Sequence, residues 1–333
     1  MLRLAYIGNF RPTSSTEQAV KSSLESLGHV VVPVQEDRTS VSELSDIILH
    51  QPIDLVLYTR TWGLDGPAML RLWDRCRQAG IATASYHLDL YYGIARIDLY
   101  ERLRQHDITG LADDPFWRTQ YVFTVDGDPA AQAYFESLGV NHHYLRAGVF
   151  DRECYMAQTG GQPVRDVIFV GSYGYHAEWK YRPLLISWLN GIYGDQFTRF
   201  GSPAADNRQA RTVRNDELNR LYASTKVVIG DTLCPGFTKE SYWSDRVYET
   251  LGRGGFLIHP YIVGMEDEFE NEKHLVFYQY GNFIDLKNKI DYYLKHDDER
   301  EAIRRAGHEH VKNNFTYKHR MQSLLTTVFG PQA

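Results

Sequence analysis

Short apolar segments alternate with amphipathic segments along most of the chain, and this alternation constrains the fold more than any other feature. In the first part, runs of β-branched and aromatic residues predict strands, and the periodic segments between them predict helices. The predicted strands cover residues 2–7, 29–34, 54–58, 81–86, 121–125 and 143–145, and the predicted helices cover residues 16–27, 40–50, 66–79 and 128–138. Strands separated by helices in this way imply a parallel sheet with right-handed crossovers.

A second series of strands and helices begins at Asp166, after a segment at 146–165 that contains Gly-Gly-Gln-Pro and predicts a linker. This series predicts a strand beginning at Asp166, further strands at 197–200, 226–229, 256–258 and 274–277, and helices at 178–193, 215–223, 283–295, 297–313 and 316–328. A chain of 333 residues is long enough for two domains with separate cores. The predicted fold is α/β, with Rossmann-like domains at 1–150 and 165–315 whose parallel sheets face each other across a cleft.

The segment from Ser244 to Pro260 carries the most specific local pattern. Ser244 is expected to cap a helix, the pair Gly254-Gly255 to end it, and the apolar residues that follow to form a buried strand. The segment therefore predicts a short helix that enters a strand through a glycine turn.

Arg246 and Glu249 are three residues apart, so they share one face near the start of this predicted helix. Free N–H groups and partial positive charge at a helix start suit a diphosphate, and a carboxylate one turn further can accept hydrogen bonds from both ribose hydroxyls. Together with Ser244, these residues predict a nucleotide-sugar site. The alternative is a solvated ion pair on an ordinary amphipathic helix.

In open parallel sheets, ligands bind beyond the carboxyl ends of the strands. Gly8, Asn9 and Phe10 follow the first strand, and we assign them to the acceptor side of the predicted site. The candidates for binding the nucleotide-sugar follow the first strand of the second series. They are Gly171, Ser172, Lys180 and Arg182. A fixed cation there would stabilise a leaving diphosphate. The alternative for Lys180 and Arg182 is an exposed helix start.

Asp89 and His87 follow the fourth predicted strand and are the candidates for the catalytic base. A carboxylate or imidazole at this position can take a proton from an acceptor hydroxyl. The alternative is that Asp89 caps a short helix and that His87 is an ordinary loop residue.

The composition narrows the function classes. The net charge of −6 argues against a protein dedicated to nucleic-acid binding, although it allows a local basic groove, and a run of arginines at 199–220 is either a solvated face or a contact with an anionic polymer. No cysteine or histidine spacing fits a metal site, so we predict neither a metal nor a cofactor. No apolar run approaches a membrane span and no signal peptide is evident, which predicts a cytoplasmic protein.

Several motifs resemble the CgeB-like "group 1" glycosyltransferases of the GT-B fold. The C-terminal part of the resemblance rests on Glu217-Leu-Asn-Arg-Leu-Tyr222, on Lys226-Val-Val-Ile229 and on the segment 244–258. The N-terminal part rests on Tyr86-His-Leu-Asp-Leu-Tyr-Tyr-Gly93, Asp114-Pro-Phe-Trp-Arg118 and Asn141-His-His143.

The resemblance implies two Rossmann-like domains, with the nucleotide-sugar on the C-terminal domain and the acceptor mainly on the N-terminal one. It also implies that the last helix, at 316–330, packs back on the first domain and that no metal is required. Glu249 would bind the ribose and Arg246 would lie near the diphosphate of a nucleotide-sugar, UDP- or GDP-linked. Many retaining members carry a second glutamate eight positions before the ribose-binding one, where this chain has Ser241. This departure favours an inverting mechanism with Asp89 as base.

The leading hypothesis is a glycosyltransferase that moves a sugar to an acceptor hydroxyl of a glycan, a metabolite, a protein or a hydroxymethylated base in DNA. A phage-type DNA glycosyltransferase would need a basic groove and affinity that falls steeply with salt. The alternatives from other classes are a nucleotide-sugar epimerase, which forms product from the nucleotide-sugar alone, and a nucleotide-binding protein without turnover.

Overall fold

The described part of the chain folds around two parallel sheets, as the alternation of strands and helices predicts. The computed structural model describes residues 1–88, 114–158, 165–174, 181–204, 207–208, 210–232 and 240–331. The chain divides into two compact units, of which the first comprises Met1–Phe150 with Tyr317–Ala333 and the second comprises Asp151–Thr316.

The sheet of the first unit has six strands among the described residues, all of them parallel, in the order β2-β1-β3-β4-β5-β6. The strands are β1 (Arg3–Gly8), β2 (Val30–Gln35), β3 (Leu55–Tyr58), β4 (Ala82–His87), β5 (Tyr121–Thr124) and β6 (His142–Tyr144). The helices described between them are α1 (Thr16–Ser26), α2 (Val41–Leu49), α3 (Gly66–Gln78) and α4 (Pro129–Ser137). Local signals set the helix starts: Ser40 and Glu43 form a capping box on α2, and the Asp65 carboxylate accepts the Ala68 N–H on α3 over 2.9 Å.

Both faces of this first sheet are covered, which explains why its central strand β3 is buried and apolar at every position. On β3, Val56 and Tyr58 pack with α2 and α3, whereas Leu55 and Leu57 pack on the opposite face with α1. Successive side chains of a strand point to opposite faces, so a strand between two helix layers must be apolar at every position.

The sheet of the second unit is also parallel, in the order β11-β10-β9-β7-β8. Its strands are β7 (Arg165–Val170), β8 (Phe197–Phe200), β9 (Thr225–Ile229), β10 (Leu257–Pro260) and β11 (Val276–Tyr278). The described helices are α5 (Tyr181–Tyr193), α6 (Asn215–Ala223), α7 (Arg246–Gly252), α8 (Phe283–Tyr293) and α9 (Asp297–Asn314). Residues 151–158 pack with this unit, although the sequence places them in a linker: the Asn219 amide donates to the carbonyls of Glu153 and Tyr155, each over 2.8 Å.

The last helix, α10 (Tyr317–Phe329), packs in the first unit. Met321 and Leu324 join the apolar layer that α1 forms on the first sheet. At the start of the helix, the Tyr317 N–H donates to the Val149 carbonyl over 3.0 Å, and Arg320 Nε donates to the Ala147 carbonyl over 2.9 Å. The first unit is therefore built from both ends of the chain.

In each sheet, the order in which successive strands are added changes direction at one point, and that point locates the ligand-binding edge of the unit. Strand order leads outward from β1 to β2 on one side and from β3 to β6 on the other, and it does the same around β7 and β9 in the second unit. In doubly wound sheets, the crevice beyond the carboxyl ends of the two strands at this switch point is where ligands bind. The loops after β1 and β3 therefore form the expected ligand-binding edge of the first unit, and those after β7 and β9 form that of the second.

Candidate functional site

The switch point of the second sheet brings together the loops that follow β7 and β9. Gly171 and Ser172 directly follow β7, and Gly230 and Asp231 directly follow β9. A side chain at Gly230 would come within 2.4 Å of a carbon of the buried His259 ring, so the close approach of β9 and β10 requires glycine there. Asp231 therefore lies just beyond the carboxyl end of β9, the central strand of the sheet.

Asp231 is buried and accepts hydrogen bonds from two arginines. Arg182 Nε donates to Asp231 Oδ2 over 2.5 Å, and Arg246 Nη1 donates to Asp231 Oδ1 over 3.2 Å. Burial alone would raise the pKa of Asp231, but the two guanidinium groups outweigh it and hold that pKa below its ordinary value. The cluster therefore holds one negative and two positive charges, a net excess of one positive charge.

Arg182 is a buried organiser of this cluster. Its Nη1 donates to the Ser172 hydroxyl over 3.1 Å and to the Ser172 carbonyl over 3.3 Å, and its guanidinium lies 5.7 Å from the Phe169 ring. The side chain therefore joins the loop after β7 to Asp231 after β9. Its charge contributes to the electrostatic potential of the site, while its donors are committed to these two residues.

Arg246, in the first turn of α7, is the more accessible cation. Its side chain is 27% exposed, and among the described residues Asp231 is its one hydrogen-bond partner. A side chain at Gly171 would come within 3.0 Å of Arg246 Nη1, so glycine at 171 leaves room for the guanidinium beside the loop after β7. Arg199, one of the arginines in the sequence run, is buried and donates to the Gly171 carbonyl over 3.1 Å. A solvated role is therefore wrong for Arg199.

Glu249 lies one turn beyond Arg246 and has an accessible carboxylate. Its side chain is 34% exposed, and Arg253 Nη2 lies 3.6 Å from Glu249 Oε1. Arg253 itself is buried and paired with Glu153, and its Nη1 donates to Asn219 Oδ1 over 2.6 Å. Burial and the neighbouring Asp245 carboxylate raise the pKa of Glu249 above its ordinary value.

The two ends of α7 differ in how well the sequence predicts them. The expectation that Ser244 caps the helix is wrong: α7 begins at Arg246, and no side chain caps it, because the flanking Asp245 already has a helical backbone. The Ser244 carbonyl instead accepts the Val247 N–H over 3.2 Å. At the other end, Gly254 has a φ of +79° and the Gly255 N–H donates to the Thr250 carbonyl over 2.8 Å, which is the predicted glycine stop.

Ser241, which replaces the second glutamate of many retaining members, has an unusual backbone. Its φ is +59°, and its N–H donates to the Val263 carbonyl over 2.8 Å. Because residue 241 is a serine, this chain has no carboxylate eight positions before Glu249.

In the first unit, Gly8, Asn9 and Phe10 lie at the carboxyl end of β1, at the switch point of that sheet. The Asn9 N–H donates to Glu17 Oε1 over 3.3 Å, and the Phe10 N–H donates to Gln35 Oε1 over 2.8 Å. These bonds fix the loop after β1 against α1 and the end of β2.

His87 is the last residue of β4 and packs edge-on against Phe116, with 5.7 Å between the ring centres. Burial, assisted by the charge of Arg60, lowers the pKa of His87 to about 4, so the imidazole is neutral and weakly basic at neutral pH. Asp89 and Lys180 lie outside the described residues.

The comparison with known families gives a match in the C-terminal part of the chain. Residues 180–326 match the family model described as glycosyl transferase-like. The chain has the GT-B fold, and the family match supports a glycosyltransferase. The resemblance to group 1 enzymes is confirmed at this level, whereas the CgeB-like subtype stays a prediction. A search of curated proteins gives no match.

Solved structures share the fold of this glycosyltransferase at low sequence identity. Anabaena Alr3699/HepE in complex with UDP-glucose is 13% identical, with 98% of this chain and 99% of that one covered and a TM-score of 0.64. Sucrose-phosphate synthase from Thermosynechococcus elongatus is 12% identical, with 99% of each chain covered and a TM-score of 0.62. An alpha-glucosyltransferase in complex with UDP is 8% identical, with 98% and 100% covered and a TM-score of 0.68.

The described residues contain neither a metal-binding cluster nor a membrane-spanning helix. No group of three or more histidine, cysteine, aspartate or glutamate side chains in the described ranges is arranged to hold a metal ion. In the same ranges, no helix is long and apolar enough to cross a membrane.

Proposed function

We propose that this glycosyltransferase transfers a hexosyl group from a UDP-sugar, held by the second unit, to an acceptor hydroxyl. The observation that carries the proposal is the accessible pair Arg246 and Glu249, one helical turn apart beside the switch point of the second sheet. UDP is the preferred nucleotide because structures with the same fold, HepE and the alpha-glucosyltransferase, are described in complex with UDP.

The charges of the site suit a nucleoside diphosphate. Arg246 still has guanidinium N–H groups that no described residue accepts, and the cluster with Asp231 and Arg182 has a net positive charge. Such fixed charge stabilises the negative charge that develops on a leaving diphosphate. The Glu249 carboxylate, one turn further, can accept hydrogen bonds from two ribose hydroxyls.

For the chemical step, the proposal is single displacement with inversion and with Asp89 as general base. The acceptor hydroxyl gives its proton to the Asp89 carboxylate while its oxygen attacks the anomeric carbon, and the bond from that carbon to the diphosphate oxygen breaks. UDP leaves with the electron pair. One observation supports inversion: Ser241 replaces the second glutamate of many retaining members.

Thermal unfolding with ligand panels tests the sugar-donor site. UDP, GDP, ADP, TDP and CDP and their sugars are compared on the parent, on Glu249→Ala and on Glu270→Ala, a surface glutamate paired with Lys273. A ligand at about 100 times its Kd adds roughly 2.7 kcal/mol of stability. We expect UDP and a UDP-sugar to stabilise the parent and Glu270→Ala but not Glu249→Ala. Equal stabilisation of all three proteins would overturn the assignment of Glu249.

Turnover separates transfer from the alternative activities. Asp89→Asn should lower the turnover number by orders of magnitude with the affinity for UDP-sugar nearly unchanged, and NMR of the product gives its anomeric configuration. Product formed from the UDP-sugar alone would indicate an epimerase, and binding without any product a non-catalytic protein. Retention of configuration would exclude the single displacement.

A second candidate acceptor is a hydroxymethylated base in DNA. One observation favours it: the alpha-glucosyltransferase is also described with UDP and a 13-mer DNA containing an HMU base, and that structure matches with a TM-score of 0.66 at 8% identity. Incubation with UDP-glucose and a 5-hydroxymethylpyrimidine oligonucleotide tests this acceptor. Transfer with an affinity that falls steeply as salt rises would support it.

A further inference from the structure

Trp62, at the switch point of the first sheet, is a large aromatic side chain exposed to solvent yet held by a rigid loop. It is 49% exposed and lies in the loop after β3, the strand that neighbours β1 in the sheet. Tryptophan is usually highly buried, and an exposed one with a fixed backbone is typical of a binding surface. Among the described residues, no group accepts a hydrogen bond from its indole N–H.

A buried carboxylate fixes the loop that carries Trp62. Glu36, which is 1% exposed, accepts the N–H groups of Thr61 and Trp62 on Oε2 over 2.8 and 2.9 Å, and the N–H of Gly63 on Oε1 over 2.9 Å. The Tyr58 hydroxyl also donates to Oε1, over 2.8 Å. Four hydrogen bonds to one buried side chain hold the loop in place before any ligand arrives, which lowers the entropic cost of binding.

The loop after β1 supplies the second part of this surface. The Arg11 guanidinium lies 5.5 Å from the centre of the Trp62 ring and is paired with Asp37. Gln35 connects the loop after β1 to the segment after β2, because its amide N–H donates to Asp37 Oδ1 over 2.7 Å and its side-chain carbonyl oxygen accepts the Phe10 N–H. We refer to Arg11, Asp37 and Trp62 as the Trp62 surface.

Two arginines beside Trp62 each have a carboxylate partner. Arg11 is paired with Asp37, and Arg60, two residues before Trp62, is paired with Asp114. A surface that binds a nucleic-acid backbone needs an excess of positive charge to neutralise phosphates. The pairing of Arg11 and Arg60 with carboxylates favours an uncharged ligand with an apolar ring face and hydroxyl groups.

We propose that the Trp62 surface binds the acceptor, and that the acceptor is a neutral carbohydrate whose ring stacks on the indole. The C–H groups on one face of a pyranose ring pack on the aromatic face, while its hydroxyls can hydrogen-bond to the indole N–H, to the Arg11 guanidinium and to Asp37. This inference rests on the proposed transfer to an acceptor hydroxyl and names the acceptor class. It extends the acceptor side beyond Gly8, Asn9 and Phe10.

A glycan array tests the Trp62 surface without the sugar donor. Fluorescently labelled full-length parent, Trp62→Ala and Trp62→Phe are applied to neutral glycans, sulfated glycans and 5-hydroxymethylpyrimidine oligonucleotides. We expect the parent to bind a subset of neutral glycans and Trp62→Phe to retain that subset. Trp62→Ala should bind the same glycans at least about tenfold more weakly. Thermal unfolding checks that the variants fold, and Arg11→Ala provides a second, independent disruption of the surface.

Three results would overturn the proposal: an unchanged glycan profile for Trp62→Ala, no neutral glycan bound by the parent, or salt-sensitive binding confined to the oligonucleotides. Failure of the proposed function has a different signature. In that case no UDP-sugar stabilises the parent, and this is measured independently of glycan binding.

Discussion

Arg182 Nε and Asp231 Oδ2 lie 2.5 Å apart, with both side chains buried at the edge of the second sheet. The pair joins the first turn of α5 to the loop after β9, 49 residues later in the sequence. Because Asp231 also accepts a hydrogen bond from Arg246, the same carboxylate that neutralises the buried arginine orients the accessible one. The orientation of Arg246, the more exposed of the two arginines, therefore depends on the buried carboxylate of Asp231.

Replacing Asp231 should destabilise the fold. Asp231→Asn leaves Arg182 buried without its counter-charge, and breaking a buried pair in this way costs about 3–5 kcal/mol. Asp166→Asn is the matched control, since Asp166 pairs with Lys226 on the surface and loss of such a pair costs less than about 1 kcal/mol. Urea unfolding measures both free energies. Equal effects of the two substitutions would mean that the buried pair contributes no more than the surface pair.

Replacing Arg246 should affect binding rather than folding. In Arg246→Ala, Asp231 keeps its hydrogen bond to Arg182, so the free energy of unfolding should change little. The affinity for UDP-glucose should fall roughly ten- to hundredfold, because hydrogen bonds to charged groups contribute about 1.5–3 kcal/mol. Calorimetric titration of Arg246→Ala against Arg77→Ala, an exposed arginine of α3, measures the difference. Full affinity in Arg246→Ala would remove this residue from the site.

The sequence predicts the elements of this fold well because their signals are local. The apolar runs of the strands, the capping residues of α1 to α3 and the glycine stop after α7 each act within a few residues. The predicted cap of α7 is wrong: Ser244 and Asp245 are adjacent residues that can each cap a helix, but neither side chain does so. Nothing in the local pattern distinguishes these outcomes.

The organisers of the site could not be predicted from local signals. Asp231 lies in a loop that the strand pattern marks as ligand-facing, yet its importance comes from Arg182, 49 residues away. Arg253 pairs with Glu153 across 100 residues, and Glu36 binds a loop more than 20 residues downstream. Such contacts follow from the order of strands in each sheet, which pattern and spacing leave open.

The binding of UDP-glucose should weaken on acidification. Because burial and Asp245 raise the pKa of Glu249, this carboxylate is protonated at a higher pH than an exposed glutamate. The charged form, present above this pKa, accepts hydrogen bonds from ribose on both oxygens, and affinity is lost as the pH falls through it. We expect the affinity for UDP-glucose to fall progressively as the pH is lowered from neutral into the acid range.

UDP-glucose suits this pH titration better than UDP, since it lacks the terminal phosphate that titrates near pH 6. Glu249→Gln is the control, because its amide does not titrate and its weaker affinity should be independent of pH. A parent whose affinity falls in parallel with that of Glu249→Gln would show that another group causes the pH dependence.

Glu36 should act as a positioning residue for Trp62. Glutamine keeps only one carbonyl oxygen, so in Glu36→Gln its NH₂ group faces two of the four donors that the carboxylate satisfied. Buried donors left without an acceptor cost about 1–3 kcal/mol each, and the free energy of unfolding should fall by about that amount or more. The control Glu25→Gln removes only a surface pair with Lys21 and should cost less than about 1 kcal/mol.

A purely structural role for Glu36 would lower stability without changing how acceptors bind. Positioning predicts more: below its melting temperature, Glu36→Gln should bind neutral glycans several-fold more weakly because the loop that carries Trp62 is no longer fixed, while the Kd for UDP-glucose stays that of the parent. Tryptophan fluorescence, with Trp62→Phe as reference for the contribution of this indole, reports whether its environment changes. Unchanged glycan affinity in a folded but destabilised Glu36→Gln would limit Glu36 to stability, since the Trp62 surface would then form without it.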